Sequence, residues 1–170
     1  MTTKATLREA KYFAAGAHAG KTYGHGERYG YHLNDVEHVL LRYGFDDDTE
    51  LRIAAWLHDS IEDTAVNAKL VQNYFGDDVY KLVEAVTDKP GKNQAARHEA
   101  TYTALRTVGT RAVALKLADR IANVEYSIAM GDIDKLKMYR HEHLFFKNTL
   151  AKPFEHIAMW EHLNRLLRDQ

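Results

Sequence analysis

Apolar residues recur every three or four positions along most of this chain, and glycine, proline or short polar runs separate one such stretch from the next. This spacing places the apolar side chains on one face of a helix. It predicts helices over about 3–19, 34–43, 49–58, 64–75, 77–86, 94–107, 111–130, 133–151 and 153–168. Asn34 is the expected N-cap of the second helix, and Pro153 fits the first turn of the last one. No stretch alternates apolar and polar residues as a strand does, so we predict an all-α fold.

A glycine-rich segment separates the first two predicted helices. Residues 20–31 contain four glycines together with Lys21, Tyr23, Arg28 and Tyr29. A polar and aromatic loop in front of a helix is a common place for ligand contacts. A solvated connection that binds nothing explains the same composition equally well, so both interpretations stay open at this point.

The composition is that of a single soluble domain. The 170 residues show no internal repeat and no linker, so we expect one domain over 1–170. The net charge of −1 gives no general field for nucleic-acid binding. No apolar run approaches the roughly 18 residues that indicate a membrane span. We therefore expect a cytoplasmic protein with neither a nucleic-acid nor a membrane partner, and the oligomeric state stays open. The absence of cysteine excludes disulfides, iron–sulfur clusters and cysteine nucleophiles.

Four ionisable residues follow an apolar run near the middle of the chain. Residues 53–57 are apolar, His58 and Asp59 come next, and Glu62 and Asp63 follow within one helical turn. Carboxylate and imidazole groups at the edge of a core are costly unless they bind a cation or one another. A metal site is therefore the default explanation of this segment.

Two further residues are candidates for the same site. Asp119 interrupts the apolar run 113–122, where a carboxylate needs a metal ion or an ion pair, and a salt bridge to Lys116 or Arg120 is the alternative. His32 lies where the glycine-rich segment meets the next helix. Taken alone, this histidine is more typical of a helix cap or a surface residue.

The combined set comprises His32, His58, Asp59 and Asp119, which is two imidazoles and two carboxylates from three predicted helices. Mixed nitrogen and oxygen ligands suit a divalent first-row metal such as manganese or iron better than magnesium. The absence of thiolate argues against structural zinc.

A second acidic pair lies one helical turn beyond the His-Asp pair. Glu62 and Asp63 are four residues on from His58 and Asp59, which places them further along the same side of a helix. There they would orient and deprotonate a water on the metal. The alternative is that both carboxylates merely cap the following helix.

Two segments carry a recognisable family pattern. Residues 58–64, His-Asp-Ser-Ile-Glu-Asp-Thr, and residues 116–123, Lys-Leu-Ala-Asp-Arg-Ile-Ala-Asn, resemble the two diagnostic motifs of the (p)ppGpp hydrolase domain of the RelA/SpoT family and its small single-domain relatives. Together with His32, they also resemble the His, His-Asp, Asp signature of HD-domain metal-dependent phosphohydrolases. The resemblance covers residues 10–130 and does not place residues 131–170.

The resemblance implies a single HD-domain helical bundle around one Mn²⁺, with Fe²⁺ or another divalent first-row metal as alternatives. By this resemblance the metal ligands are His32, His58, Asp59 and Asp119, the water-activating pair is Glu62 and Asp63, and the nucleotide contact is Asn123. The implied partner is a small-molecule nucleotide. The implied reaction is removal of the 3′-pyrophosphate of (p)ppGpp by attack of a metal-bound water.

The sequence departs from the family pattern at the residues that contact the nucleotide base in that family. Where the family has Gln-x-Arg, with the arginine packed on the purine, this chain has Lys21, Thr22 and Tyr23. A tyrosine stacks on a base without supplying a charge. The candidate substrate contacts are therefore Asn123, Tyr23, Lys21, Arg28 and Lys135. A nucleotide with a 2′-phosphate as in NADPH, a 3′-phosphate or a nucleoside monophosphate is the alternative substrate, and a module that binds nucleotide without turnover is a further alternative.

Overall fold

A computed structural model describes residues 5–168 of the chain, which form helices and one short hairpin. In chain order the elements are α1 (Leu7–Ala17), β1 (Thr22–Tyr23), β2 (Glu27–Arg28), α2 (Gly30–Arg42), α3 (Thr49–Leu57), α4 (Ser60–Asp63), α5 (Ala68–Phe75), α6 (Asp77–Val86), α7 (Gln94–Val108), α8 (Thr110–Met130), α9 (Ile133–Leu150) and α10 (Ile157–Arg168). The two strands pair antiparallel, with Thr22 opposite Arg28 and Tyr23 opposite Glu27. The prediction of an all-α fold is confirmed, because this hairpin is the only sheet within residues 5–168.

The bundle is built around α8. This helix packs against α2, α3, α6, α7, α9 and α10. Leu115, Leu117, Ile121 and Val124 along it have no exposed surface. Because neighbours surround the helix, its apolar residues are not confined to one stripe. A polar side chain in the middle of α8, such as Asp119, is therefore brought close to several other helices. No helix within the described residues is both long and apolar enough to cross a membrane.

The second helix begins earlier than the sequence predicts. It starts at Gly30 rather than at Asn34, and no side chain caps its first turn. Asn34 is thus not an N-cap and instead lies beside His38. The apolar residues Leu33 and Val36 are fully buried, so tertiary packing favours helix from Gly30 onward in spite of the glycine. As a result His32 lies in the first helical turn with its side chain directed into the bundle.

The fourth predicted helix begins four residues later than predicted. Thr64 has an extended backbone, and α5 begins only at Ala68. Asn67 is the N-cap of α5, since its side chain accepts a hydrogen bond from the Leu70 N–H at 2.9 Å. The alternative in which Glu62 and Asp63 cap this helix is therefore wrong.

The last helix begins four residues later than predicted. It starts at Ile157, and Pro153 lies before it rather than in its first turn. Phe154 and His156 have φ values of 67° and 51°. These left-handed conformations cannot be part of a right-handed helix. The first predicted helix is also shorter, running from Leu7 to Ala17, and the predicted positions 3 and 4 lie outside the described residues.

A buried carboxylate joins the first three long helices. Glu37 in α2 is 1% exposed. Its oxygens accept hydrogen bonds from the Lys11 ammonium at 2.7 Å, the Arg52 guanidinium at 2.9 Å and the Trp56 indole N–H at 2.7 Å. Burial alone would raise the pKa of Glu37, but these donors outweigh it and hold the pKa below its ordinary value of 4.5.

Replacing Glu37 with Gln is expected to lower the free energy of unfolding by about 2 kcal/mol, because Lys11 and Arg52 lose their counter-charge. Since the folded-state pKa is depressed, this contribution is present above pH 4.5 and is lost as the pH falls through the folded-state value. Urea unfolding of both proteins at pH 7 and at decreasing pH measures the difference. Glu99→Gln, at an exposed position of α7, is the control and should change stability by no more than about 0.5 kcal/mol. A pH-independent difference would contradict the ion-pair explanation.

Candidate metal centre

Four potential ligand atoms converge where α2, α3 and α8 meet. The Nε2 atoms of His32 and His58 are 3.3 Å apart. Asp59 Oδ2 lies 3.5 Å from His32 Nε2 and 3.1 Å from His58 Nε2. Asp119 Oδ1 lies 3.4 Å and 3.7 Å from the same two nitrogens. The structure therefore brings together all four residues that the sequence predicts as metal ligands.

The end of α3 orients two of these side chains. The helix ends at Leu57, and His58 and Asp59 lie between it and α4, which begins at Ser60. His58 Nδ1 lies 2.8 Å from the carbonyl oxygen of Ala55 and donates to it. With a proton on Nδ1, the imidazole directs Nε2 into the centre, where a metal would take the place of any proton on that atom. This is the usual arrangement of a metal-binding histidine.

The charges at the centre support one another. Burial alone would lower the pKa of His58, but the carboxylates of Asp59 and Asp119 raise it well above its ordinary value. Burial would raise the pKa of both aspartates, yet the imidazoles hold the pKa of Asp59 well below its ordinary value. For Asp119, Lys116 and the imidazoles have the same effect on the pKa. The carboxylates are therefore ionised at neutral pH, as ligands of a cation must be.

The four atoms fit a divalent metal ion. With ligand bonds of about 2.0–2.2 Å, neighbouring ligand atoms around an ion lie roughly 3.0–3.6 Å apart, which matches most of the distances above. The set has no sulfur and combines nitrogen with oxygen, as divalent first-row metals favour. His32, His58 and Asp59 form a group whose ligand atoms all lie within 4.8 Å of one another. Asp119 completes it through its contacts with both imidazoles.

The predicted ion pair of Asp119 is also present. Its Oδ2 atom lies 3.2 Å from the Lys116 ammonium, while Oδ1 is directed towards the two imidazoles. The two interpretations of Asp119 from the sequence are thus compatible, because each uses a different oxygen. The bond to Lys116 fixes the carboxylate so that Oδ1 points to the centre.

The predicted water-activating pair lies beside the centre, with different partners for each residue. Asp63 Oδ2 lies 2.7 Å from the hydroxyl of Tyr29, which is also 2.7 Å from Asp59 Oδ2. Glu62 accepts a hydrogen bond from the Asp88 N–H at 3.0 Å. The pKa of Glu62 is raised above its ordinary value, mainly by partial burial and also by the charges of Asp88 and Asp59. The hydrogen bond from the Asp88 N–H opposes this increase without cancelling it. A raised carboxyl pKa is suited to proton transfer near neutral pH.

Tyr29 has a role that the sequence did not reveal. Its ring stacks on His18 with centroids 4.4 Å apart and planes 8° apart. His18 Nδ1 in turn lies 2.9 Å from the carbonyl oxygen of Ala14 in α1. The Tyr29 hydroxyl has one proton, so it donates to one of Asp59 and Asp63 at a time. His18 precedes the glycine-rich segment and Tyr29 lies within it, and the polar and aromatic composition of that segment is the only signal of this link in the sequence.

A cavity of about 240 Å³ lies beside the centre. It is lined by Lys116, Asp119 and Asn123 of α8 and by Tyr139 of α9, among others. Burial, reinforced by the charge of Asp119, raises the pKa of Tyr139 to about 12. The Tyr139 hydroxyl is therefore a permanent proton donor in this cavity. Of the predicted substrate contacts, Asn123 lines the cavity directly.

The other predicted substrate contacts are divided between two places. Tyr23 stacks on His32 at the centre, and the Lys135 ammonium lies 6.0 Å from the Tyr23 ring centroid. Lys21 and Arg28 line a separate cavity of about 510 Å³ beside α1. The structure thus does not bring Lys21 and Arg28 into the cavity that contains Asp119.

Comparison with known proteins identifies the family. The family model described as an HD domain matches residues 10–144. The chain belongs to the HD-domain family. The match confirms the predicted resemblance and extends it past residue 130, into α9.

The chain is similar in sequence to several curated proteins, among them three named for hydrolysis of (p)ppGpp. It is 36% identical over 123 residues to the guanosine-3′,5′-bis(diphosphate) 3′-pyrophosphohydrolase of Aquifex aeolicus, covering 70% of this chain and 17% of the relative. It is 32% identical over 153 residues to the bifunctional (p)ppGpp synthase/hydrolase SpoT of Escherichia coli, covering 85% and 21%. It is 32% identical over 122 residues to the 3′-pyrophosphohydrolase MESH1 of Xenopus tropicalis, covering 71% and 68%. The chain thus spans about a fifth of the bacterial relatives and two thirds of the Xenopus protein.

Two solved structures share the fold. A structure reported as a metazoan ortholog of SpoT that hydrolyses ppGpp superposes with a TM-score of 0.82 and 23% identity, covering 99% of this chain and 97% of the other. A Listeria monocytogenes protein superposes with a TM-score of 0.68 and 25% identity, covering 84% and 96%. The helical bundle, including α9 and α10, is therefore an arrangement that other proteins adopt.

Addition of Mn²⁺ is expected to stabilise the protein through the four converging ligands. At a hundred times the dissociation constant, one bound ion adds about 2.7 kcal/mol. This raises the thermal midpoint by roughly 5–10 °C for a chain of this size. Differential scanning fluorimetry with and without Mn²⁺ measures the shift. Asp59→Asn should abolish it, whereas Asp47→Asn, at an exposed position before α3, should retain it. An equal shift in both variants would place the ion elsewhere.

Proposed function

We propose that this HD domain is a metal-dependent phosphohydrolase that removes the 3′-pyrophosphate from guanosine alarmones of the (p)ppGpp type. The observation that carries the proposal is the convergence of His32, His58, Asp59 and Asp119 beside a cavity that also contains a lysine. The names of the relatives supply the substrate class. Mn²⁺ is the expected ion, with Fe²⁺ or another divalent first-row metal as alternatives.

The protein would position the phosphoryl group by charge. A bound divalent ion supplies Lewis acidity, which lowers the pKa of water and offsets negative charge on phosphoryl oxygens. Lys116 faces the same cavity. Burial would lower the pKa of its ammonium, but the nearby carboxylates outweigh this effect and raise the pKa, so the group stays charged. Lys116 and the Tyr139 hydroxyl would donate hydrogen bonds to the oxygens of the pyrophosphoryl group that the water attacks, where negative charge builds up, and the ribose 3′-oxygen would be the leaving group.

Glu62 and Asp63 would act on the attacking water. Glu62 combines a raised pKa with a position three residues from Asp59, so it is the stronger candidate to accept the proton. Asp63 shares the Tyr29 hydroxyl with Asp59 and would orient the water relative to the centre. In this assignment Tyr29 fixes the relative positions of the two aspartates.

We further propose that residues 1–170 form one domain and that the protein is cytoplasmic.

Incubation with ppGpp and Mn²⁺ is expected to release pyrophosphate, and EDTA should stop the release. Product analysis by ion-exchange chromatography separates pyrophosphate from orthophosphate. NADPH and nucleoside monophosphates belong in the same panel, because the base-contacting arginine of the family is absent here. If one of these nucleotides releases orthophosphate while ppGpp releases neither pyrophosphate nor orthophosphate, that nucleotide is the substrate and the assignment to (p)ppGpp is wrong. Binding of nucleotide without any product would identify a binding module.

Glu62→Gln is expected to reduce kcat by about 10²–10⁴-fold, which is the usual effect of losing a general base. The amide still accepts the hydrogen bond from the Asp88 N–H, so the fold and the Mn²⁺-dependent shift in thermal midpoint should persist. Glu161→Gln, at an exposed position of α10, is the matched control. Parental turnover in Glu62→Gln would exclude the role in water activation.

A further inference from the structure

Tyr23 is enclosed by other side chains at the metal centre. Its ring stacks on the imidazole of His32, with centroids 4.7 Å apart and planes 17° apart. Tyr126 packs against it at 4.7 Å and 58°, and Tyr29 meets it edge-on at 6.2 Å. One face of the Tyr23 ring is therefore covered by the imidazole and closed to a purine. This arrangement disfavours the role in base stacking that the sequence suggests.

The hydroxyl of Tyr23 begins a chain of hydrogen bonds that ends on a metal ligand. It donates to Asn123 Oδ1 at 2.8 Å. Asn123 Nδ2 donates to Asp119 Oδ1 at 2.6 Å and to the Asp119 carbonyl oxygen at 3.0 Å. Both Asp119 acceptors favour the N–H end of the Asn123 amide, and the bond from Tyr23 to the amide oxygen reinforces this orientation.

The two histidines of the centre are held in different ways. His58 donates its Nδ1 proton to the Ala55 carbonyl. His32 Nδ1 is buried and has no hydrogen-bond partner among residues 5–168. Metal-binding histidines are normally oriented by such a bond. Here the stacked ring of Tyr23 takes the place of the hydrogen bond and fixes the plane of the His32 imidazole.

The hairpin that carries Tyr23 is itself anchored to α8. The Tyr126 hydroxyl accepts a hydrogen bond from the His25 N–H at 2.8 Å and donates to the Glu27 carboxylate. Gly24 has φ +53°, and a Cβ at this position would overlap the Tyr126 ring. The backbone around Tyr23 therefore lies directly against α8.

We propose that Tyr23 is a positioning residue of the metal centre, which fixes His32 by stacking and Asp119 through Asn123, rather than a residue that contacts the base. The inference rests on the proposed metal centre and deepens it. It predicts that the hydroxyl of Tyr23 contributes to metal affinity and turnover independently of which nucleotide is bound.

The test uses Tyr23→Phe and Tyr23→Leu in the full chain, with Mn²⁺ as the probe. In titrations without substrate, the electron paramagnetic resonance signal gives the concentration of free Mn²⁺. The dissociation constant follows from this concentration. Tyr23→Phe keeps the stacked ring and should weaken Mn²⁺ binding about tenfold, at the low end of the range for residues that orient metal ligands. Tyr23→Leu, which also loses the stack, should weaken it about a hundredfold. Tyr12→Phe, at a site that is 74% exposed on α1, is the matched control and should bind as the parent does.

Steady-state kinetics at saturating Mn²⁺ separate positioning from base contact. A positioning role predicts that Tyr23→Phe lowers kcat and leaves KM within about twofold, since no residue that contacts the nucleotide is replaced. A base-stacking role predicts that Tyr23→Phe leaves both kcat and KM unchanged, because phenylalanine stacks as tyrosine does. Only Tyr23→Leu would then raise KM.

A double-mutant cycle tests the route through Asn123. If Tyr23 acts through this residue, Tyr23→Phe should have little effect on Mn²⁺ affinity once Asn123 is replaced by Ala. Full additivity would overturn the route. Parental Mn²⁺ affinity in Tyr23→Phe would overturn the proposal while leaving the metal centre intact. A parent protein that binds no Mn²⁺ would refute the metal centre itself, and this inference with it.

Discussion

The rest of the structure depends on placing two imidazoles and two carboxylates inside a helical bundle without leaving any of them uncompensated. Each group would be costly there alone, because burial disfavours its charged form. The solution is mutual: carboxylates flank each imidazole, and Lys116 holds the remaining oxygen of Asp119. The central helix α8 makes this possible, since it contributes both the apolar core and Asp119. Core packing and ligand geometry are therefore set by the same element.

The predictability of the fold follows from where its signals lie. The helices α6 and α8 carry strong apolar periodicity or a long apolar run, and their predicted bounds agree with the structure to within a residue. The beginnings of α2, α5 and α10 differ because local conformation and packing decide them. Burial of Leu33 extends α2 back to Gly30, an extended Thr64 delays α5, and left-handed backbone at His156 delays α10.

The same distinction applies to the candidate site. His58, Asp59 and Asp119 were predictable as candidate ligands because a charged residue in or beside an apolar run has few inexpensive explanations, whereas His32 was a candidate only in combination with them. The positions of the candidate substrate contacts were not predictable in this way. Lys21 and Arg28 are exposed, and an exposed cation is compatible with any surface. Tyr29 and Tyr23 lie in a segment whose composition is equally typical of a solvated loop. Only the folded hairpin shows that one tyrosine reaches Asp59 and the other stacks on His32.

The close approach of the hairpin to α8 has a consequence for how this chain can vary. Gly24 and Tyr126 occupy one space, because any side chain at position 24 would enter the volume of the phenol ring. Among relatives that keep this hairpin, the residue sizes at the two positions should change together: a larger residue at 24 should accompany a smaller one at 126. Covariation between two positions about a hundred residues apart in the chain would thus record a contact at the edge of the metal centre.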